Sequence, residues 1–222
     1  MAAMPASHPR TDILLIRHGE TAWNAERRLQ GHIDIPLNAH GLAQARALGR
    51  ALRATPLDAV FASDLQRAWQ TAAAIADGRD LALSQDARLR ERCYGRFEGL
   101  LYADIEAAYP GEFAAWQARD IDAVMPPGER VAESFRQFYT RSVGAIVDTA
   151  ARWPGATIAI VAHGGVLECA YRAALGLALD TPRDFPIHNA SVNRFSVADG
   201  VLALSSWGEI GHLAPAVLDE LP

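Results

Sequence analysis

The apolar run Ile13-Leu14-Leu15-Ile16 ends on Arg17, His18 and Gly19, and the pattern returns where "TIAIVA" runs into His163, Gly164 and Gly165. A second arginine, Arg67, stands in the first turn of what reads as a helix after "LDAVFAS". Two imidazoles and two guanidiniums suit a phosphoryl group. Guanidinium presents a planar donor fork matched to phosphate oxygens, and phosphoryl transfer asks the protein mainly for alignment and charge neutralisation. A neutral imidazole attacks phosphorus directly when its other nitrogen donates to a fixed acceptor. Gly19 is expected to let the backbone approach both ring and phosphate. Two other readings stand beside this one. His18 alone fits a polar strand end satisfied by a neighbouring carbonyl. A metal site needs further ligands at set spacings, yet neither H-x-H nor H-E-x-x-H occurs, and the arginines would repel a cation. No metal and no cofactor are expected.

These residues meet only if strands deliver them to one rim. Residues 13–16, 57–63 and 157–163 read as short buried strands, each ending at a polar cluster. Helical patterns cover about 41–54, 64–77 and 131–153, with Ser63 or Asp64 a natural N-cap for the second. A further helix is expected from Gly164-Gly165 to a C-cap at Gly176. "VNRFSVA" and "VLALSSW" flank Asp199-Gly200, a strong hairpin signal. Strands alternating with helices predict an α/β fold, a three-layer α/β/α sandwich on a mostly parallel central sheet. In such sheets ligands bind outside the carboxyl ends of strands, which brings His18 and His163 together although about 145 positions separate them. Residues 95–130 are helical in pieces, broken at Pro110-Gly111 and Pro126-Pro127-Gly128, and read as a lid-like insertion.

A chain of 222 residues, 50% hydrophobic and 21% charged, fits one globular domain. Residues 1–11 are expected to form a flexible tail before a single domain over 12–222. The net charge of −5 and the lack of a basic run argue against nucleic acid as partner. Two cysteines, Cys93 and Cys169, are too few for a disulfide framework and fit a reducing compartment. No stretch approaches a membrane span and the N-terminus lacks the apolar core of a signal peptide, so a cytoplasmic location is expected.

The segment "LLIRHGETAWNAERRLQGHIDIPLNAHGLAQA", with "SDLQRAWQTA", "RLRERCYGRFEGL" and "IVAHGGVL", resembles the histidine phosphatase superfamily from about residue 12 to 213. That superfamily includes cofactor-dependent phosphoglycerate mutases, fructose-2,6-bisphosphatase domains and broad-specificity phosphatases. The resemblance implies the three-layer sandwich and a phosphohistidine on His18. It also implies that Arg17, Arg67 and His163 hold phosphoryl oxygens, that Asn24 shares their pocket, and that Gln30 and Gly31 line it. Glu91, in "LRERCYG", falls where the family keeps its general acid. The chemistry needs such a group: one carboxyl protonates the leaving alcohol and then deprotonates the hydrolytic water. Without the motif Glu91 reads as a solvated charge among Arg88, Arg90 and Arg92, and Glu98 is its nearest rival.

The other histidines have plainer readings. His40 reads as a surface residue, His32 as a residue near the mouth, His8 as tail, and His188 and His212 as structural loop residues. Trp69, Trp116 and Trp153 read as core or lid packing. The resemblance also separates branches. "ERCYG" is mutase-like, but His163-Gly164-Gly165-Val166 replaces the His-Gly-Asn-Ser typical of mutases. Pro126-Pro127 reaches Glu133-Ser134 without the mutase insertion, and "WQARD" leaves Arg119 where mutases carry paired arginines. The phosphatase branch, acting on small phosphorylated metabolites, is the better match. The alternatives are a phosphoglycerate mutase and a catalytically silent phosphate- or protein-binding module. Specificity is expected from the lid residues Tyr102, Tyr109, Phe113, Trp116 and Arg119.

Overall fold

The computed structural model describes residues 9–213. His8 and most of the expected tail lie outside them. β1 (Thr11–Arg17) begins two residues before the expected strand at 13–16, so Thr11 belongs to the sheet and not to the expected tail. Thr11 is buried, and its hydroxyl donates to the Ala150 and Trp153 carbonyls at 3.0 and 2.9 Å. After β1 come α1 (Ala22–Ala25), α2 (Ala39–Ala51), β2 (Ala59–Ala62), α3 (Gln66–Ala76) and β3 (Ala82–Gln85). The chain then passes through 3-10 turns to α4 (Tyr102–Ala108) and α5 (Pro110–Gln117), in the segment read as a lid. It continues through α6 (Phe135–Ala151), β4 (Thr157–Ala162), α7 (Gly164–Leu175), β5 (Val192–Ala198) and β6 (Val201–Glu209).

The six strands form one sheet in the order β3-β2-β4-β1-β5-β6. β3, β2, β4 and β1 run parallel, while β5 and β6 are antiparallel additions. Alternation along β1 decides the layers. Leu14 and Ile16 pack with Leu48 of α2 and Ala72 and Ile75 of α3 on one face. Ile13 and Leu15 pack with Phe138 and Ile146 of α6 and Leu167 of α7 on the other. This is the expected three-layer α/β sandwich. A smaller cluster of Leu29, Phe97, Ile105, Met125 and Ala132 packs with Tyr102, Phe113 and Trp116 in the lid region. Trp69 and Trp153 pack against the two main clusters.

The register places β1 beside β4, with Ile16 opposite Val161 and Arg17 opposite Ala162. β1 leads towards β2, beyond β4, while β4 leads through α7 to β5, beyond β1. The connections diverge at the carboxyl ends of these two strands, where an open α/β sheet leaves a crevice.

Three local details differ from the sequence expectation. α3 starts at Gln66 and is capped from afar: Asp34 Oδ1 accepts from the Gln66 amide at 2.7 Å, while Asp64 is paired with Arg90. α6 starts at Phe135 behind a capping box of Ser134 and Gln137, so residues 131–134 are not helical. β3 was not anticipated. Gly176 caps α7 in the left-handed conformation, and Asp199 and Gly200 both take positive φ at the hairpin turn, as expected.

Candidate active site

His18 leaves β1 with its backbone already fixed. Its amide donates to the Ala162 carbonyl of β4 at 3.0 Å, and its own carbonyl accepts from Ala190 N at 3.2 Å and Asn189 Nδ2 at 3.0 Å. The ring Nδ1 donates to the Gly19 carbonyl at 2.7 Å, so Nδ1 carries the proton and Nε2 keeps its lone pair. His163 lies beside it at the end of β4, with ring centroids 5.1 Å apart and planes at 61°. Arg67 Nε donates to His163 Nδ1 at 3.2 Å, which assigns the His163 proton to Nε2. The two rings thus carry opposite tautomers. One offers a lone pair, and the other a donor with no partner of its own among the described residues.

Both rings are held neutral. Burial lowers the His18 pKa well below the usual value, and the charges of Arg67 and Arg17 lower it further. Burial likewise depresses His163, followed by Arg67 and then His18 itself.

The guanidiniums that keep the rings neutral are buried in the same wall, each 1% exposed. Arg17 Nη1 donates to the Ile187 carbonyl at 2.6 Å. Arg67 spans from His163 to the Gly31 and Ile33 carbonyls, at 2.8 and 2.9 Å. The loop after α1 therefore wraps the arginine, and Gly31 meets the site through its backbone. Gln30 is buried and accepts from Thr21 Oγ1 at 3.0 Å. Asn24 Oδ1 accepts from Thr21 N and Thr21 Oγ1, each at 3.1 Å, and from Asn189 Nδ2 at 3.4 Å. The Gly19 backbone comes close to the His18 ring, and the glycine also admits α2: a Cβ there would stand 2.7 Å from the Gly41 carbonyl.

Glu91 reaches the site from a loop. Its Oε2 accepts from the Gly165 amide in the first turn of α7 at 3.0 Å, and its Oε1 accepts from Arg92 N at 2.7 Å. The Glu91 carbonyl is held by His32 Nε2 at 2.7 Å and Arg141 Nη2 at 3.1 Å. Arg141 is itself paired with Glu133 at 2.6 Å. Glu98, the rival, is tied down elsewhere: its Oε1 accepts from His32 N at 2.9 Å and Tyr94 N at 3.0 Å. His32 therefore positions the Glu91 backbone. His40 is exposed in the first turn of α2, and His212 donates to the Ala190 carbonyl at 3.0 Å.

Sequence reasoning did not find Asn189 or His32 in these positioning roles, nor Thr71, whose hydroxyl accepts from the Gly19 amide at 3.1 Å and donates to the Arg67 carbonyl at 2.8 Å. Thr71 lies within "SDLQRAWQTA", one helical turn after Arg67, and that spacing was the available signal. Asn189 sits in an aperiodic loop and offers none. Beyond Glu91 a cavity of about 240 Å³ opens between α7 and the lid, lined by Arg92, Tyr94, Tyr102, Trp116, Arg119 and Glu168 among others. Among the described residues no cluster of three or more His, Cys, Asp or Glu could hold a metal, and no helix is long and apolar enough to cross a membrane.

The model of the histidine phosphatase superfamily (branch 1) matches residues 13–210. "Phosphoglycerate mutase-like protein 4" of Arabidopsis thaliana is 36% identical over 206 residues, covering 91% of this chain and 86% of its own. Among solved structures, Bacillus stearothermophilus YhfR superposes with a TM-score of 0.83 at 35% identity, covering 91% of this chain and 98% of that one. A mycobacterial glucosyl-3-phosphoglycerate phosphatase gives a TM-score of 0.77 at 29% identity, covering 90% and 99%. With the fold and its two strand-end histidines, these matches establish that the chain belongs to the histidine phosphatase superfamily.

Proposed function

We propose that the protein is a metal-independent phosphomonoester hydrolase acting on small phosphorylated metabolites through a phosphohistidine on His18. One observation carries this reading: two buried, neutral imidazoles at neighbouring strand ends, fixed in opposite tautomers, between two buried guanidiniums. In the first step His18 Nε2 bonds to phosphorus as the ester P–O bond breaks, and Glu91 gives its proton to the departing alcohol oxygen. Arg17, Arg67 and the His163 Nε2–H stabilise the charge on the phosphoryl oxygens. Asn24, Gln30 and Gly31 frame that pocket. In the second step Glu91 takes a proton from water, the water oxygen bonds to phosphorus, and the P–N bond breaks to restore His18. Two free, buried cysteines support a reducing, cytoplasmic setting.

Incubation with a radiolabelled phosphomonoester should give an acid-labile, base-stable phosphoenzyme in the wild type and none in His18→Ala, with phosphate release unaffected by chelators. Labelling of His18→Ala, or activity that requires a divalent ion, would overturn the reading. The plant relative's name favours a second reading, a phosphoglycerate mutase. Assay with 3-phosphoglycerate, primed with 2,3-bisphosphoglycerate, separates them: the hydrolase liberates phosphate, the mutase isomerises with little release.

A further inference from the structure

The cavity borders Gly165, whose amide holds the proposed acid Glu91, and is therefore the candidate place for the alcohol part of a phosphomonoester. Its wall carries the aromatic rings of Tyr94, Tyr102 and Trp116, and its charged members, Arg92, Arg119 and Arg183 with Asp120 and Glu168, are unequally committed. Arg92 is buried and donates to the Glu133 and Ala123 carbonyls rather than to a carboxylate. Arg119 follows α5 with φ of 56°, lies over the Phe135 ring at 5.5 Å, and is ion-paired with Glu168 of α7. Glu168 faces the same cavity with a side chain only 13% exposed, and it also pairs with Arg172 at 2.9 Å. Arg172 is fully buried and further fixed by the Ala178 and Thr181 carbonyls at 2.9 and 2.7 Å. Glu168 is therefore an internal anion, anchored from behind by Arg172, that engages Arg119 on the cavity side.

We infer that Glu168 sets the charge specificity of the leaving-group pocket: by acting as the counter-ion of Arg119 it turns away leaving groups that carry a carboxylate or second phosphate and favours neutral alcohols and phenols. The inference rests on the hydrolase reading and names its substrate class. A carboxylate entering the cavity meets a fixed like charge at low dielectric and must compete with it for Arg119. A neutral aryl or sugar-like group meets the aromatic wall without that penalty.

The test compares kcat/KM for a neutral ester, p-nitrophenyl phosphate, with that for an acidic one, 3-phosphoglycerate, in the wild type, Glu168→Gln and Arg119→Gln. The wild type should prefer the neutral ester. Glu168→Gln should shift the ratio towards the acidic ester by at least about tenfold, mainly through its KM. Arg119→Gln leaves Glu168 uncompensated on its cavity side and should shift the ratio the other way. An unchanged ratio, or a shift in the same direction in both variants, overturns the inference. Should Glu168→Gln fail to fold with Arg172 stranded, Glu168→Gln/Arg172→Met removes both charges together and should still shift the ratio towards the acidic ester; an unchanged ratio there overturns the inference. A wild type inactive on both esters sinks the hydrolase reading; calorimetric affinities for phenylphosphonate and 3-phosphonopropionate then give the same ratio test without turnover.

Discussion

Gly165→Ala displaces the proposed acid without touching its chemistry. A Cβ at this position would stand 2.3 Å from Glu91 Oε1 and 2.8 and 3.0 Å from two ring carbons of Phe138, where ordinary contact begins near 3.4 Å. Phe138 is 1% exposed and belongs to the core packed under α7, so its ring has little room to yield. The Glu91 carboxyl is the freer party and must retreat by about 1 Å, straining its 3.0 Å bond from Gly165 N. A misplacement of about 1 Å costs on the order of 10²-fold, equivalent to about 2.7 kcal/mol of barrier. The loss should depend on the leaving group. An alkoxide needs the proton, whereas a phenolate departs with little help, so kcat should fall far more on an alkyl phosphate than on p-nitrophenyl phosphate. Thermal melting serves as control, because alanine favours the helix by up to about 1 kcal/mol while overpacking costs about 1–3 kcal/mol. A folded variant that hydrolyses alkyl esters at the wild-type rate, or loses equally on both classes, refutes the placing of Glu91 as acid.

Arg67→Ala should lower kcat by at least about 10²-fold, the usual cost of one preorganised electrostatic donor; single-turnover measurement of phosphoenzyme formation checks it. Glu98→Ala should cost about 1–3 kcal/mol of stability, because it strands the His32 and Tyr94 amides. It should leave the ratio of alkyl to aryl phosphate hydrolysis near the wild-type value, whereas Glu91→Gln lowers that ratio sharply, as a comparison of denaturant midpoints and phosphatase profiles will show. Stability should fall as pH drops below about 6.5, since the unfolded chain protonates His18 and His163 there while burial holds both folded-state pKa values well lower. Each group contributes up to about 1.4 kcal/mol per pH unit across that window, read from urea midpoints between neutral pH and about 5; a flat profile would refute buried, neutral rings.

The parts of the site legible in sequence are those that strand periodicity carries. Arg17 and His18 follow four apolar residues, His163 follows six strand residues, and a parallel sheet brings strand ends to one rim whatever their separation. Arg67 was legible as the first turn of the next helix. What escaped was decided by distant partners. Apart from the family motif, Glu91 reads as a solvated charge, and the Gly165 amide that holds it is 74 positions away, while the His32 and Tyr94 amides hold Glu98. Asp34 caps α3 across 32 positions, so Ser63 and Asp64 looked like the better caps. β3 was hidden because Ala82–Gln85 is a mostly exposed edge strand, with neither apolar alternation nor β-branched residues to mark it. Asn189 belongs to a loop whose place follows from β5 pairing with β1.

The two histidines are also linked through the first turn of α3. His18 Nδ1 donates to the Gly19 carbonyl at 2.7 Å, and the Gly19 amide donates to Thr71 Oγ1 at 3.1 Å. The Thr71 hydroxyl donates to the Arg67 carbonyl at 2.8 Å, and Arg67 Nε donates to His163 Nδ1 at 3.2 Å. The residue that fixes the tautomer of the proposed nucleophile, His18, is thus tied to the arginine that fixes its neighbour's. Thr71→Val keeps the shape of a fully buried side chain but removes the hydroxyl that serves Gly19 and Arg67. By analogy with partners that orient metal-bound histidines, phosphoenzyme formation should slow by about 10–100-fold, and the stranded Gly19 amide should cost about 1–3 kcal/mol of stability. Thr71→Ser restores the hydroxyl and should recover the rate even where the lost methyl leaves stability reduced. Valine forming the phosphoenzyme at the wild-type rate, or serine failing to recover it, would show that the link through Thr71 is packing rather than alignment.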